Sequence, residues 1–155
     1  MIIRLLCITI IFFGFNASYI IQTTNASPKL GKVEFPTSGS KEVQQHFIRG
    51  VAALHSFWYT EAIDSFQKST KADPNFAMGY WGEAMAHNAP LWERQDSKSA
   101  KAALSKISNL PELTQREQDY IQAVQLLYGE GEKLTRDKAY SNAMRGVYIK
   151  YPNDL

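Results

Sequence analysis

Apolar side chains between Lys41 and His55 fall at Val43, Phe47, Val51 and Leu54, separated by four, four and three residues. That spacing places them on one face and predicts a helix over 41–55, with Ser40 as its N-cap. Gly50 lies mid-helix, where glycine costs about 1 kcal/mol relative to alanine. A glycine there makes sense if another backbone approaches closely. Phe57, Trp58 and Tyr59 follow in a turn, where flat side chains would seal the hairpin end. A second helix is predicted over 60–71, in which Ala62 lets the two helices come close and Phe66 fills the space one turn later. Asp73-Pro74 ends it, because the residue before a proline avoids helical angles.

Adding 34 to the first helix positions predicts a third helix. Gln44, Phe47, Val51 and Leu54 map to Met78, Trp81, Met85 and Asn88. His46 maps to Tyr80, Gly50 to Ala84 and Ala53 to His87. The register breaks after Asn88, where Pro90 stops the helix and Leu91-Trp92 enter a loop. A helix over 97–107 carries Ala100, Ala103, Leu104 and Ile107 on one side, and Pro111 ends that segment. Thr114-Gln115-Arg116-Glu117 has the form of a capping box and opens a helix to Tyr128. Gly129 and Gly131 turn the chain into a last helix over 135–150. There Tyr140, Met144 and Pro152 repeat the spacing of Ala62, Phe66 and Pro74. Three hairpins result, at about 41–74, 77–107 and 114–151, with an insertion around 89–99 and 108–113.

The start of the chain differs in kind. Arg4 precedes an apolar run from Leu5 to Phe15 that continues weakly to Ile21. A cationic start and a short greasy core read as a secretory signal over 1–26, and the protein is expected to be exported, periplasmic or extracellular. Cleavage after Ala26 fits best; Ala17 and Ser18 fit less well. The alternative is an uncleaved anchor, although the run falls short of the ~20 residues that span a bilayer. Membrane contact is expected only through this segment. Cys7, the single cysteine, lies inside it, so the mature chain has no thiol. Residues 27–40, with Pro28, Gly31, Pro36 and Gly39, read as a linker with a short extended piece at 32–35. The helical unit is expected over 41–155 and to be truncated at its C-terminus, because a stack of repeats ends on a polar cap.

Hydrophobic residues make up 45% of the chain and charged residues 21%, which argues against wholesale disorder. The formal charge is +2 with no basic cluster, so nucleic acid is not expected as a partner.

Residues 43–76 resemble a tetratricopeptide repeat (TPR), with Gly50, Tyr59, Ala62, Phe66 and Pro74 at the family's positions. His46, Arg49 and Ala53 replace its usual large aromatic, leucine and tyrosine. Residues 77–107 resemble a second repeat through Tyr80 and Ala84, and residues 121–154 a third through its second helix. The stretch from His46 to Trp92 is also similar to uncharacterised secreted bacterial proteins of this kind. The resemblance implies an all-α fold, a right-handed α-solenoid of stacked hairpins whose first helices line a concave groove for a protein or peptide. By position, Gln44, Phe47, Val51 and His55 would face that groove, as would Met78, Trp81, Met85 and Asn88. Phe47, Trp81 and Met85 would be apolar anchors, and Gln44 and Asn88 would hydrogen-bond an extended backbone.

Chemistry is sparse by comparison. His55, Glu83 and His87 could in principle form a metal or enzyme site on adjacent hairpins, but His-Glu-x-x-His is absent. The other reading is packing or capping histidines. Glu93-Arg94-Gln95-Asp96 and Glu130-Gly131-Glu132 read as solvated charge runs. No paired carboxylates, phosphate loop or nucleophile elbow is present, and neither enzymatic activity nor a cofactor is expected. The expectation is an exported scaffold that binds a protein or peptide. The alternatives are the His/Glu site and a module supporting a missing downstream domain.

Overall fold

Helix dominates the described chain. The computed structural model describes residues 29–109 and 113–154, and the apolar start lies outside them. Residues 29–40 form an arm without helix or strand. Then come α1 (Lys41–His55), α2 (Tyr59–Ala72) and α3 (Ala77–Ala86). A two-stranded antiparallel ribbon follows, β1 (Asn88–Ala89) and β2 (Arg94–Gln95), with a 3-10 turn over Pro90–Trp92 between its strands. The chain continues through α4 (Ser97–Ser105), a 3-10 turn (Lys106–Asn109), α5 (Gln115–Leu127) and α6 (Lys133–Lys150). Packing follows chain order: α1 lies against α2, α2 against α3, α3 against both α4 and α5, and α5 against α6.

Local chemistry fixes the helix ends. Ser40 caps α1 in an extended conformation, though its hydroxyl makes no capping bond. Asp73, also extended, closes α2 ahead of Pro74. At α5 the capping box closes both ways: Glu117 N donates to Thr114 Oγ1 at 3.2 Å, and Thr114 N donates to Glu117 Oε2 at 3.0 Å. Asp96, read as part of a charge run, is instead the N-cap of α4 and accepts from Ser99 N at 3.0 Å. The two short strands and their turn occupy the stretch where the repeat register breaks.

The core is built around Phe66, which is 0% exposed. Its ring lies against Gly50 of α1 and Gly82 of α3, leaving no room for a Cβ at either position. Two glycines on two helices thus admit one aromatic ring from α2. Burying such a side chain is worth about 1.5–3 kcal/mol. The 34-residue offset points to Ala84 as the partner of Gly50; Ala84 is buried too, but it is Gly82 that meets the ring. All but Met85 of the α3 side chains are buried, as expected of a helix covered on every side.

The last hairpin departs from its expected form. Tyr140 and Met144 share the spacing of Ala62 and Phe66 but not their full burial. They are only partly buried, and the Tyr140 hydroxyl points across to Met85 Sδ of α3 at 3.8 Å. In α6 only Val147 is buried, while Leu134, Tyr148 and Ile149 are exposed.

Candidate binding groove

The arm does not trail away from the helices. Phe35 drops its ring onto one residue from each of α1, α3 and α5. The ring centroids lie 5.4 Å from Phe47, 5.7 Å from Trp81 and 5.1 Å from Tyr120. The Arg116 guanidinium covers the ring at 4.3 Å. Phe35 is left 8% exposed, which contributes about 1.5–3 kcal/mol of apolar burial.

The backbone on either side of this anchor is held by side chains. Gln44 Nε2 donates to the Phe35 carbonyl at 2.6 Å, and Gln44 Oε1 accepts from Thr37 Oγ1. Arg116 Nη1 donates to the Pro36 carbonyl at 2.8 Å. Ser38 donates through its N–H at 2.7 Å and its hydroxyl at 2.9 Å to Glu117 Oε1, the oxygen left over from the capping box. Burial alone would raise the Glu117 carboxyl. The bonds from Ser38 and Thr114 outweigh that and hold its pKa below the usual range. Arg116 Nε also pairs with Asp154 at 2.6 Å, and the Tyr120 hydroxyl donates to the same carboxylate at 3.2 Å. Burial, reinforced by Asp154, pushes the Tyr120 phenol up to about 12.

Beside the seated arm lies an open groove of about 690 Å³. That volume falls within the ~300–1,000 Å³ of ligand pockets. The arm forms one wall through residues 32–35, and Val51, Leu54 and His55 of α1 lie next to it. Trp81 and Met85 of α3 contribute, as do Asn88, Tyr59 and Pro90. Tyr140, Met144, Val147 and Tyr148 come from α6, followed by Tyr151. The surface is largely aromatic and thioether, a lining that adapts to different apolar shapes. Tyr148 is 56% exposed, so this part of the groove is open to solvent.

The eight residues expected to face a groove divide. Val51, His55, Trp81, Met85 and Asn88 line it. Phe47 and Met78 do not: they are 0% and 1% exposed and belong to the core. Phe47 lies beneath Phe35 and Trp81 and beside Phe66 and Phe76, and Met78 belongs to a helix covered on all sides. Gln44 also lies outside the open volume, because it is already hydrogen-bonded to the arm. Trp81 is 6% exposed, with its indole N–H donated to the Tyr120 carbonyl at 3.2 Å, so it serves the core as well as the groove. Sequence reasoning missed Phe35, Arg116 and the α6 residues. A large aromatic within a segment otherwise rich in proline and glycine was the available signal for Phe35.

The remaining candidates do not assemble into a chemical site. Among the described residues no group of three or more His, Cys, Asp and Glu side chains could hold a metal ion. Glu83 is buried and accepts from Gln67 Nε2 at 2.8 Å, while His55 is exposed in the groove. Trp92 packs edge-on to Tyr59 at 5.6 Å and to Phe57 at 6.3 Å, which joins the α1–α2 turn to the ribbon. No family model matches the chain, and neither a curated protein nor a solved structure is significantly similar to it.

Proposed function

We propose that the chain is an exported scaffold of the tetratricopeptide kind that holds an extended protein segment in the groove between its arm and α6. The observation that carries this reading is the seat of Phe35. A stretch of chain without helix or strand already lies across α1, α3 and α5, the first helices of three successive hairpins, held by one aromatic anchor and by side chains that bond its carbonyls. Anchor pockets plus backbone hydrogen bonds are the general terms of extended-peptide recognition. The packing of α1 on α3 and of α3 on α5 supports a stack of hairpins, and the cationic, greasy start supports export.

The test uses a random peptide library displayed on phage and selected on the wild-type chain. Counter-selection uses Met144→Glu/Tyr148→Glu, which places two charges in the open groove. Enrichment of a shared apolar pattern on the wild type and its loss on the variant support the reading. A selection that enriches no pattern dependent on Met144 and Tyr148 refutes it.

A further inference from the structure

The arm is attached in a manner unlike the rest of the fold. Before Ser40 it has no helical or ladder hydrogen bonds; its polar grip runs through Phe35 to Ser38, while Leu30 and Val33 rest partly buried against the core. Lys32 and Glu34 are exposed, and a Cβ at Gly31 would meet nothing within 4 Å. Yet this short stretch covers Phe47 and Trp81, the two side chains that the repeat pattern assigns to ligand contact. We propose that residues 35–38 are a built-in occupant of the peptide site, and that a partner enters as an extended segment whose aromatic side chain takes the Phe35 seat and displaces the arm.

The chemistry of the seat defines that partner. Three aromatic rings and one guanidinium surround the ring of Phe35, a setting that favours a flat, electron-rich side chain over an aliphatic one. Gln44 and Arg116 bond two consecutive carbonyls, which any sequence supplies. The second residue of the pair is Pro36, which has no N–H to leave unsatisfied and keeps the residue before it extended. An aromatic residue followed by proline therefore fits the seat best. A tethered occupant competes at an effective concentration of about 1 mM, so an arm of ~10 μM intrinsic Kd would weaken the binding of any free segment ~100-fold.

This inference rests on the groove being a peptide site, but it is read out separately. The full chain and its Phe35→Ala variant are titrated with a synthetic peptide of residues 29–40, which contains no tryptophan, and binding is followed by the protein's own tryptophan emission. The variant should bind the peptide at least about tenfold more tightly than the wild type. A peptide carrying alanine at position 35 should not bind. If Phe35→Ala loses its helical circular dichroism, Ser38→Ala carries the test. Ser38 is exposed, and this variant loosens the arm without touching the aromatic seat, so it should still gain about threefold over the wild type. The proposal fails if the folded variant binds no better than the wild type, or if the alanine peptide binds equally well. It also fails if the wild type is a stable dimer broken by Phe35→Ala, which would make a second copy the occupant. Library enrichment that depends on Met144 and Tyr148 would stand whichever way this experiment falls.

Discussion

Gln44 bonds two groups of the arm with one amide: its nitrogen donates to the Phe35 carbonyl at 2.6 Å and its oxygen accepts from Thr37. A single side chain of α1 thereby fixes the position of a segment with no secondary structure of its own. Gln44→Leu keeps most of the volume and removes both bonds, leaving a partly buried carbonyl without its donor. The expected cost is about 1–3 kcal/mol, read as a lower urea midpoint. A loss below ~0.5 kcal/mol, the range of an ordinary surface change, would show that the arm contributes nothing to global stability.

Glycine substitutions separate close packing from open space. A Cβ at Gly82 would collide with the Phe66 ring, and one at Gly50 would lie 2.7 Å from it. Gly82→Ala should cost about 1–3 kcal/mol through overpacking. Gly146, inside α6, meets nothing within 4 Å. There the same change should stabilise by about 0.5–1 kcal/mol, because alanine is the better helix former. Thermal unfolding of the two variants should therefore move in opposite directions, and a lowered Tm for Gly146→Ala would contradict the open face on α6.

Glu117 makes the hold on the arm sensitive to acid. Its folded pKa lies below the unfolded value of about 4.3, so its contribution is complete above that value and is lost as pH falls through the folded pKa. Asp96, lowered by its bonds from Ser99, also titrates in that region. So does Asp119, where burial is outweighed by Lys150 and Tyr151. The informative quantity is the difference between the wild type and Glu117→Gln. It should be about 1–3 kcal/mol and flat from pH 7 to about 5, then shrink below about 4. A difference that persists unchanged at pH 3 would remove the Ser38–Glu117 link from the account.

Helices were legible where one face repeated. The 3.6-residue period in 41–55, the Asp73-Pro74 stop and the Thr114 box are local signals, and α1, α2 and α5 lie within a residue of their expected bounds. The arm was not legible, because Phe35 acts at long range within a segment that has no period, and its proline and glycines read as linker. The same omission explains the misplaced anchors: Phe47 belongs to the expected face of α1, but the arm covers it. Met78 follows from the offset rule, which carries over a face and not its burial, and α3 is enclosed everywhere but at Met85. Tyr140 and Met144 share the spacing of Ala62 and Phe66, yet spacing alone does not say whether a helix turns that face to its hairpin partner or to α3.

Burial separates the two ends of the groove's aromatic lining. Trp81 is 6% exposed, touches Phe35, Phe47 and Tyr120, and donates its indole N–H to the Tyr120 carbonyl. Trp81→Ala would open a cavity and leave that carbonyl without its donor, at a cost of about 3–5 kcal/mol. For a chain whose total stability is about 5–15 kcal/mol, that is enough to reduce the folded population at 37 °C. Tyr148 is 56% exposed, so Tyr148→Ala should stay within about 0.5 kcal/mol of the wild type. Chemical denaturation of both variants checks the pair. Tyr148 is consequently the substitution that reports on binding without disturbing the fold, and similar losses for both variants would mean that α6 is packed as tightly as α3.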